Sequence, residues 1–334
     1  MKMDNGKKRD ITADLMKAIG IILVIIGHST SNGRYLIYTF HMPMFFLVSG
    51  YYFQHNTALG TIIKKGMKRL IVPYVVTCLC VCLFHIIKSA VQNESVLSTL
   101  LLWTKAALIG LPSDSIRVSN VAGVQHIGAI WFFEALFWAR IELWAILKCK
   151  KTFNQFILLI SIVVLFTLVS KHLIWIPANV GPGTAGCIFL WIGYIIRKES
   201  LLQKNEKKYW IYLSLFLIAV FSVTDRLLGK RLALATMSFP LYGLDIIGAV
   251  AGCYLVYKIS QYVKYRYPRC TKTLSTIGGG SAEVLCVHLW DLDCLENIIP
   301  GGILRLGFRL VFDICGGVFI SKVCRKHKKP PTSK

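Results

Sequence analysis

"IGHSTSNGRYLIYTFHMPMFFLVSGYYF" runs from Ile26 to Phe53. It joins the end of one apolar run to the start of another through a short polar turn, and it carries a histidine on each side, His28 and His41. Two apolar runs with so short a connection must lie side by side and antiparallel. The turn therefore reads as the tip of a helical hairpin, with both imidazoles near that tip. Working outward, the same alternation of long apolar run and short polar connection repeats along the 334 residues.

The composition agrees. The chain is 55% hydrophobic and 16% charged, with a mean hydropathy of +0.57. Soluble domains carry roughly 25% charged residues, and a membrane-spanning helix needs about 20 apolar residues. Apolar segments fall at 11–30, 35–53, 70–91, 97–111, 127–147, 154–176, 183–196, 209–227, 235–257, 280–299 and 302–321. These predict an all-α, polytopic membrane helix bundle forming a single domain over residues 1–334, with a helical core at 10–321 and a basic tail at 322–334.

The net charge of +23 does not gather into one basic face, so nucleic acid is not an expected partner. Lys and Arg sit in small clusters between apolar runs, the pattern of cytoplasmic loops. If 97–111, which is short and contains Lys105, lies on the outer surface rather than crossing, most of the 39 basic residues fall on one side. That predicts ten transmembrane helices with the N- and C-termini cytoplasmic. The eleven cysteines show no metal-ligand spacing, and none of them, nor any other set, suggests a metal site. No cleavable signal peptide is expected.

Ionisable groups within apolar runs are costly in lipid and are candidates for function. Two histidines at matched depth on adjoining helices suit proton transfer to or from a hydroxyl near neutral pH. Asp14 and Lys17, three apart on the first helix, share a face and can pair. Lys17 and His28 are eleven residues apart, close to three turns, so one stripe carries both, about 16 Å apart along the axis. "KKGMKRLIVPY" (64–74) offers Lys65, Lys68 and Arg69 to a phosphate-bearing ligand, or serves as a positive anchor. Glu134, in "IWFFEALFW", needs a buried partner. His126 and Trp131 stand at the entrance of that helix. His288 and Asp291, three apart, could pair.

Together, "DLMKAIGIILVIIGHS", "FHMPMFFLVSGYYF", "RLIVPY", "WFFEALF" and "IGGGSAEVLCVHLW" resemble, in this order, the acyltransferase-3 family of integral membrane acyltransferases, in particular its sugar O-acetyltransferase, fucose 4-O-acetylase-like branch. The resemblance spans about residues 10–320. It implies a multi-pass protein of the bacterial plasma membrane that takes an acetyl group from cytoplasmic acetyl-CoA and places it on a hydroxyl of an extracytoplasmic glycan or lipid-linked sugar, within glycan-assembly machinery. Lys17 and His28 match the family's basic residue, ten intervening residues and histidine, with Lys where many members have Arg. The expected catalytic set is His28, His41, Asp14, Lys17 and Glu134. Lys65, Lys68, Arg69 and Arg140 are expected to hold acetyl-CoA, and His126, Trp131 and His288 to contact the acceptor. The competing reading is a proton-coupled small-molecule transporter, which would not consume acyl-CoA.

Overall fold

A computed structural model describes residues 10–31, 33–113, 115–116, 118–204, 207–295 and 302–326. The described residues are helical throughout, apart from turns, loops and an isolated bridge between Ala233 and Ser238. The principal helices are α1 (Ile11–Ser29), α2 (Arg34–Tyr51), α3 (Leu59–Val91), α4 (Val96–Ile109), α5 (Trp131–Ile146), α6 (Thr152–His172), α7 (Val180–Lys198), α8 (Tyr209–Leu228), α9 (Asp245–Arg266), α10 (Pro268–Gly279), α11 (Ser281–Cys294) and α12 (Ile303–Lys326).

Six of these, α1, α3, α6, α7, α8 and α9, are long and apolar enough to cross a membrane. Their surroundings sort them. Only 17% of the most apolar stretch of α3, α6 and α8 is buried inside the protein, against 56% for α1 and 61% for α7. The first three turn rows of leucine, isoleucine and phenylalanine outward, among them Leu79, Leu83, Ile87, Leu165 and Phe216. Apolar surface on this scale needs lipid to cover it, and backbone that faces lipid must bond within its own helix. α1, α2 and α7 form the centre.

The central helices touch backbone to backbone. A Cβ on Gly193 of α7 would stand 2.1 Å from the Leu47 carbonyl oxygen of α2, and one on Gly50 would stand 1.9 Å from that of Leu190. Such approach is the usual basis of helix association in a solvent of lipid tails, where apolar surface alone gives little preference for protein over lipid.

Local chemistry accounts for the ends and irregularities. Asp10 caps α1, accepting from the Thr12 amide at 2.9 Å, and also accepts from the Tyr52 hydroxyl at the far end of α2. Gly33, at φ +72°, makes the turn into α2. Pro43 lies inside α2 without ending it. In α3, Met67–Ile71 widen into a π-helical turn, with the Val72 amide reaching back to the Met67 carbonyl. Pro73 has no N–H for the Arg69 carbonyl, and the register slips there.

Several boundaries depart from the sequence reading. Segment 97–111 is the 14-residue helix α4, too short to count among the six. Segment 183–196 extends at both ends into α7. Segment 235–257 begins as loop and becomes α9 only at Asp245, and the basic stretch after it, expected as a loop, contains α10, packed on α1. Segment 280–299 is helical from Ser281 to Cys294, and its last residues lie outside the described ones. So do the basic residues before position 10 and those after 326.

Candidate functional site

Two cavities share a wall along α1 and α2. The first, of about 510 Å³, is bordered by His28 of α1, Tyr38 and His41 of α2, His126 and Trp131 at the start of α5, Arg231 before α9 and Asp293 of α11. The second, of about 370 Å³, is bordered by Lys17 of α1, Ser49 of α2, Arg69 in the π-helical turn and Arg140 of α5. Val24, Met42 and Leu285 border both. They form a waist between a histidine cavity and an arginine cavity. Lys17 and His28, on one stripe of α1, therefore border two adjoining cavities.

In the histidine cavity His28 is exposed to the chamber, whereas His41 is 4% exposed. The two rings do not stack on one another. Tyr38 lies against both, its ring 4.7 Å from that of His41 and 6.3 Å from that of His28. His41 Nδ1 is 2.9 Å from the Ile37 carbonyl oxygen. A carbonyl can only accept, so Nδ1 carries the proton and Nε2 of the neutral ring is the basic nitrogen. Arg231 covers the other part of Tyr38, its guanidinium 4.0 Å from the ring centre. The cavity thus combines basic imidazole nitrogen with a cation at its wall, a setting able to accept a proton from a hydroxyl and to hold developing negative charge.

The arginine cavity is cationic. Lys17 Nζ lies 2.7 Å from Asp14 Oδ1, so Asp14 is the counter-ion of Lys17 and faces neither cavity. Arg140 Nη1 donates to Ser49 Oγ at 3.2 Å, and its guanidinium lies 5.8 Å from the Phe53 ring. Lys17, Arg69 and Arg140 present positive charge to one chamber, as a phosphate-bearing ligand requires.

Other expected residues fall elsewhere. Lys65 and Lys68 are exposed on α3 and border neither cavity; Arg69, also exposed, is the member of that cluster that borders the arginine cavity. Glu134 is also outside both chambers. Its carboxylate accepts from Asn179 Nδ2 at 2.8 Å, and the same amide donates to the Gly110 carbonyl at 2.7 Å. Through Asn179, Glu134 thereby links α5 to the ends of the two connections that flank α4 and α7. His126 and Trp131 do border the histidine cavity.

His288, expected at the acceptor, is fully buried and borders neither chamber. His288 Nδ1 lies 2.7 Å from Asp313 Oδ2 of α12, while Asp291 Oδ2 accepts from Arg309 Nε at 2.7 Å. The His288 ring lies 5.3 Å from that of His28. Sequence reasoning did not pick out Tyr38, Arg231, Arg309 or Asp313. Arg309 and Asp313, four apart in an apolar helix, carried a legible signal, since such spacing places two costly groups on one face.

No solved structure matches the chain. It is similar to the nodulation protein NolL of Sinorhizobium fredii, 39% identical over 79 residues that make up 20% of each chain. It is also similar to the nodulation protein NolL of Mesorhizobium japonicum, 27% identical over 161 residues, which cover 44% of this chain and 37% of that one. The chain thus aligns with well under half the length of these curated relatives. The profile of the acyltransferase-3 family, described as an acyltransferase domain, matches residues 10–321. With apolar helices around a two-chambered centre, and with this match over nearly its whole length, the chain belongs to the acyltransferase-3 family of membrane acyltransferases.

Proposed function

We propose that this protein transfers an acetyl group from cytoplasmic acetyl-CoA to a hydroxyl of an extracytoplasmic glycan or lipid-linked sugar. The observation that carries the reading is the shared waist: a cationic chamber and a histidine chamber meet at Val24, Met42 and Leu285. The arginine cavity faces the cytoplasm in this reading, and ten helices cross the membrane with both termini inside. Lys17, Arg69 and Arg140 hold the phosphates of the donor. The pantetheine arm passes the waist and delivers the thioester beside His28.

The acceptor enters the histidine cavity from the other side, past His126 and Trp131. His28 removes the proton of the acceptor hydroxyl. The oxygen attacks the thioester carbonyl carbon, the carbon–sulfur bond breaks, and the proton returns to the leaving thiolate through the same ring. His41, its tautomer held by the Ile37 carbonyl, and Arg231 on Tyr38 favour the oxyanion that forms between these steps. Positioning and charge are the protein's contributions, and no metal enters the scheme.

The test is transfer of label from acetyl-CoA in membranes carrying the protein or its His28→Ala and His41→Ala variants at matched abundance. His28→Ala should lose transfer by at least about 10²-fold, the usual scale for a general base. Wild-type transfer by both variants rules the mechanism out. The transporter reading predicts no thiol release from acetyl-CoA under any condition.

A further inference from the structure

The scheme above leaves one cluster without a task. His288 and Asp313 are 0% exposed, and beside them Arg309 and Asp291 are equally enclosed, all between α11 and α12 against α1. Burying four ionisable groups is costly unless their charges match. Here they do not. Among the described residues two carboxylates face one guanidinium, so with His288 neutral these four groups sum to one net negative charge. Asp291 Oδ1 and Asp313 Oδ1 are buried without a hydrogen-bond partner among the described residues, which deepens the deficit. Ligand atoms of His288, Asp291 and Asp313 lie within 4.8 Å of one another, a spacing open to a metal ion. Arg309 already supplies a cation there and would repel a second one. The charge lacking is that of a single proton.

The route for that proton is short. The His28 and His288 ring centres are 5.3 Å apart at a tilt of 59°, so the two imidazoles are direct neighbours. Other groups around the pair point the charge the same way. Arg34 at the start of α2 and Arg231 before α9 lie near His28, and Tyr38 and His41 on α2 border the same chamber. On the far side, Asp291 on α11 and Asp313 on α12 outnumber Arg309.

We propose that His288 and Asp313 are positioning residues for His28, drawing the acceptor's proton through it into the buried cluster. This rests on the acyl-transfer reading. The acceptor O–H bond breaks and its proton bonds to the cavity-facing nitrogen of His28. The proton on the other nitrogen of His28 passes to His288 Nε2. His288 becomes an imidazolium, its Nδ1–H donating to Asp313, and the cluster reaches zero net charge. After the carbon–sulfur bond breaks, the proton returns by the same path to the thiolate. Nothing outside donor, acceptor and chain is consumed.

Two measurements test this on full-length protein. The first is steady-state acetyl transfer in membranes of the producing cell, which carry its own acceptors, with labelled acetyl-CoA. Asp313→Asn should lower kcat on the order of 10²-fold with KM for acetyl-CoA unchanged, and Asp313→Glu should restore most of it. The second is carbethoxylation of His28 by diethyl pyrocarbonate, followed by mass spectrometry against pH, which needs no acceptor. The reagent attacks neutral imidazole. Removing the Asp313 charge disfavours the His28 cation, so the midpoint should move to lower pH by about one unit, a tenfold change in the equilibrium. Glu142→Gln, a buried carboxyl bonded to Thr184 and outside the cluster, should leave it in place.

Wild-type kcat and an unshifted midpoint in Asp313→Asn overturn the proposal. Should that variant fail to reach the membrane, His288→Gln decides. It keeps a donor for Asp313 but takes up no proton, so kcat should fall, and an unchanged kcat overturns the proposal equally. If wild-type membranes release no thiol from acetyl-CoA, the acyl-transfer reading fails instead, and the His28 midpoint still reports whether the cluster governs that ring.

Discussion

Leu285→Trp is the substitution that most directly probes the waist. Leu285 is 6% exposed and borders both cavities, together with Val24 and Met42. Lys17 and His28, at the two ends, are separated by about 16 Å along α1 at the helical rise. A pantetheine arm, comparable to roughly five extended residues, spans about 17 Å. On the proposed donor path the arm would reach His28 with little to spare. An indole in the waist that halts it one helical turn short leaves the thioester about 5.4 Å from its working position. Reacting atoms must come within about 3–3.5 Å, and a misplacement of about 1 Å can already cost 10²-fold. Transfer should fall by more than 10²-fold. Lys17, Arg69 and Arg140 are untouched, so binding of CoA, measured by displacement of labelled CoA from purified protein in lipid discs, should change less than about threefold, well under 1 kcal/mol. Overpacking should cost about 1–3 kcal/mol of stability, visible as a lower Tm. Leu285→Trp protein that binds CoA and transfers acetyl at the wild-type rate would refute a donor path through this waist.

The companion Leu285→Ala should keep acetyl transfer and admit longer acyl chains, scored as the ratio of butyryl to acetyl transfer. Arg140→Met should raise KM for acetyl-CoA about 10–100-fold with kcat preserved, the loss expected for one charged hydrogen bond of about 1.5–3 kcal/mol; an unchanged KM would remove Arg140 from the donor site. Gly193→Val would force α7 away from the Leu47 carbonyl, only 2.1 Å from the new Cβ, and should cost about 3 kcal/mol or more, read as loss of folded protein in detergent. For the proposed topology, Ser119→Cys should react with an impermeant thiol reagent added outside cells and Ser200→Cys should not; both positions are exposed. Labelling at Ser200→Cys from outside would invert the assignment of the two cavities.

The hairpin of α1 and α2, and the stripe from Lys17 to His28, were legible because they depend on spacing along one or two adjacent elements. Helical periodicity sets those relations without knowledge of distant chain. Lys17 and His28 accordingly border the two adjoining cavities. What the sequence did not disclose were contacts between elements far apart in the chain. Hydropathy tells which segments enter lipid, but not which faces meet. Glu134 visibly needed a partner, yet Asn179 lies in a connection 45 residues away. His288 was read with Asp291 because the two share a helix, whereas packing of α11 on α12 supplied Asp313 and Arg309. Arg69 was one of three equivalent cations by composition. It lies in the π-helical turn before Pro73, and helix register of that kind depends on a missing backbone donor rather than on side-chain chemistry.

The waist has a bearing on the cell as well as on the reaction. A protein open on two sides threatens the ionic gradients of the membrane that holds it. Valine, methionine and leucine offer a hydronium or sodium ion no oxygen to replace its water, and narrow apolar rings of this sort exclude liquid water. A thin, flexible, uncharged acyl-bearing thread can slide through such a ring where a hydrated ion cannot. In the proposed orientation the chamber walls can then carry charge on either side while the membrane potential stays intact across three side chains.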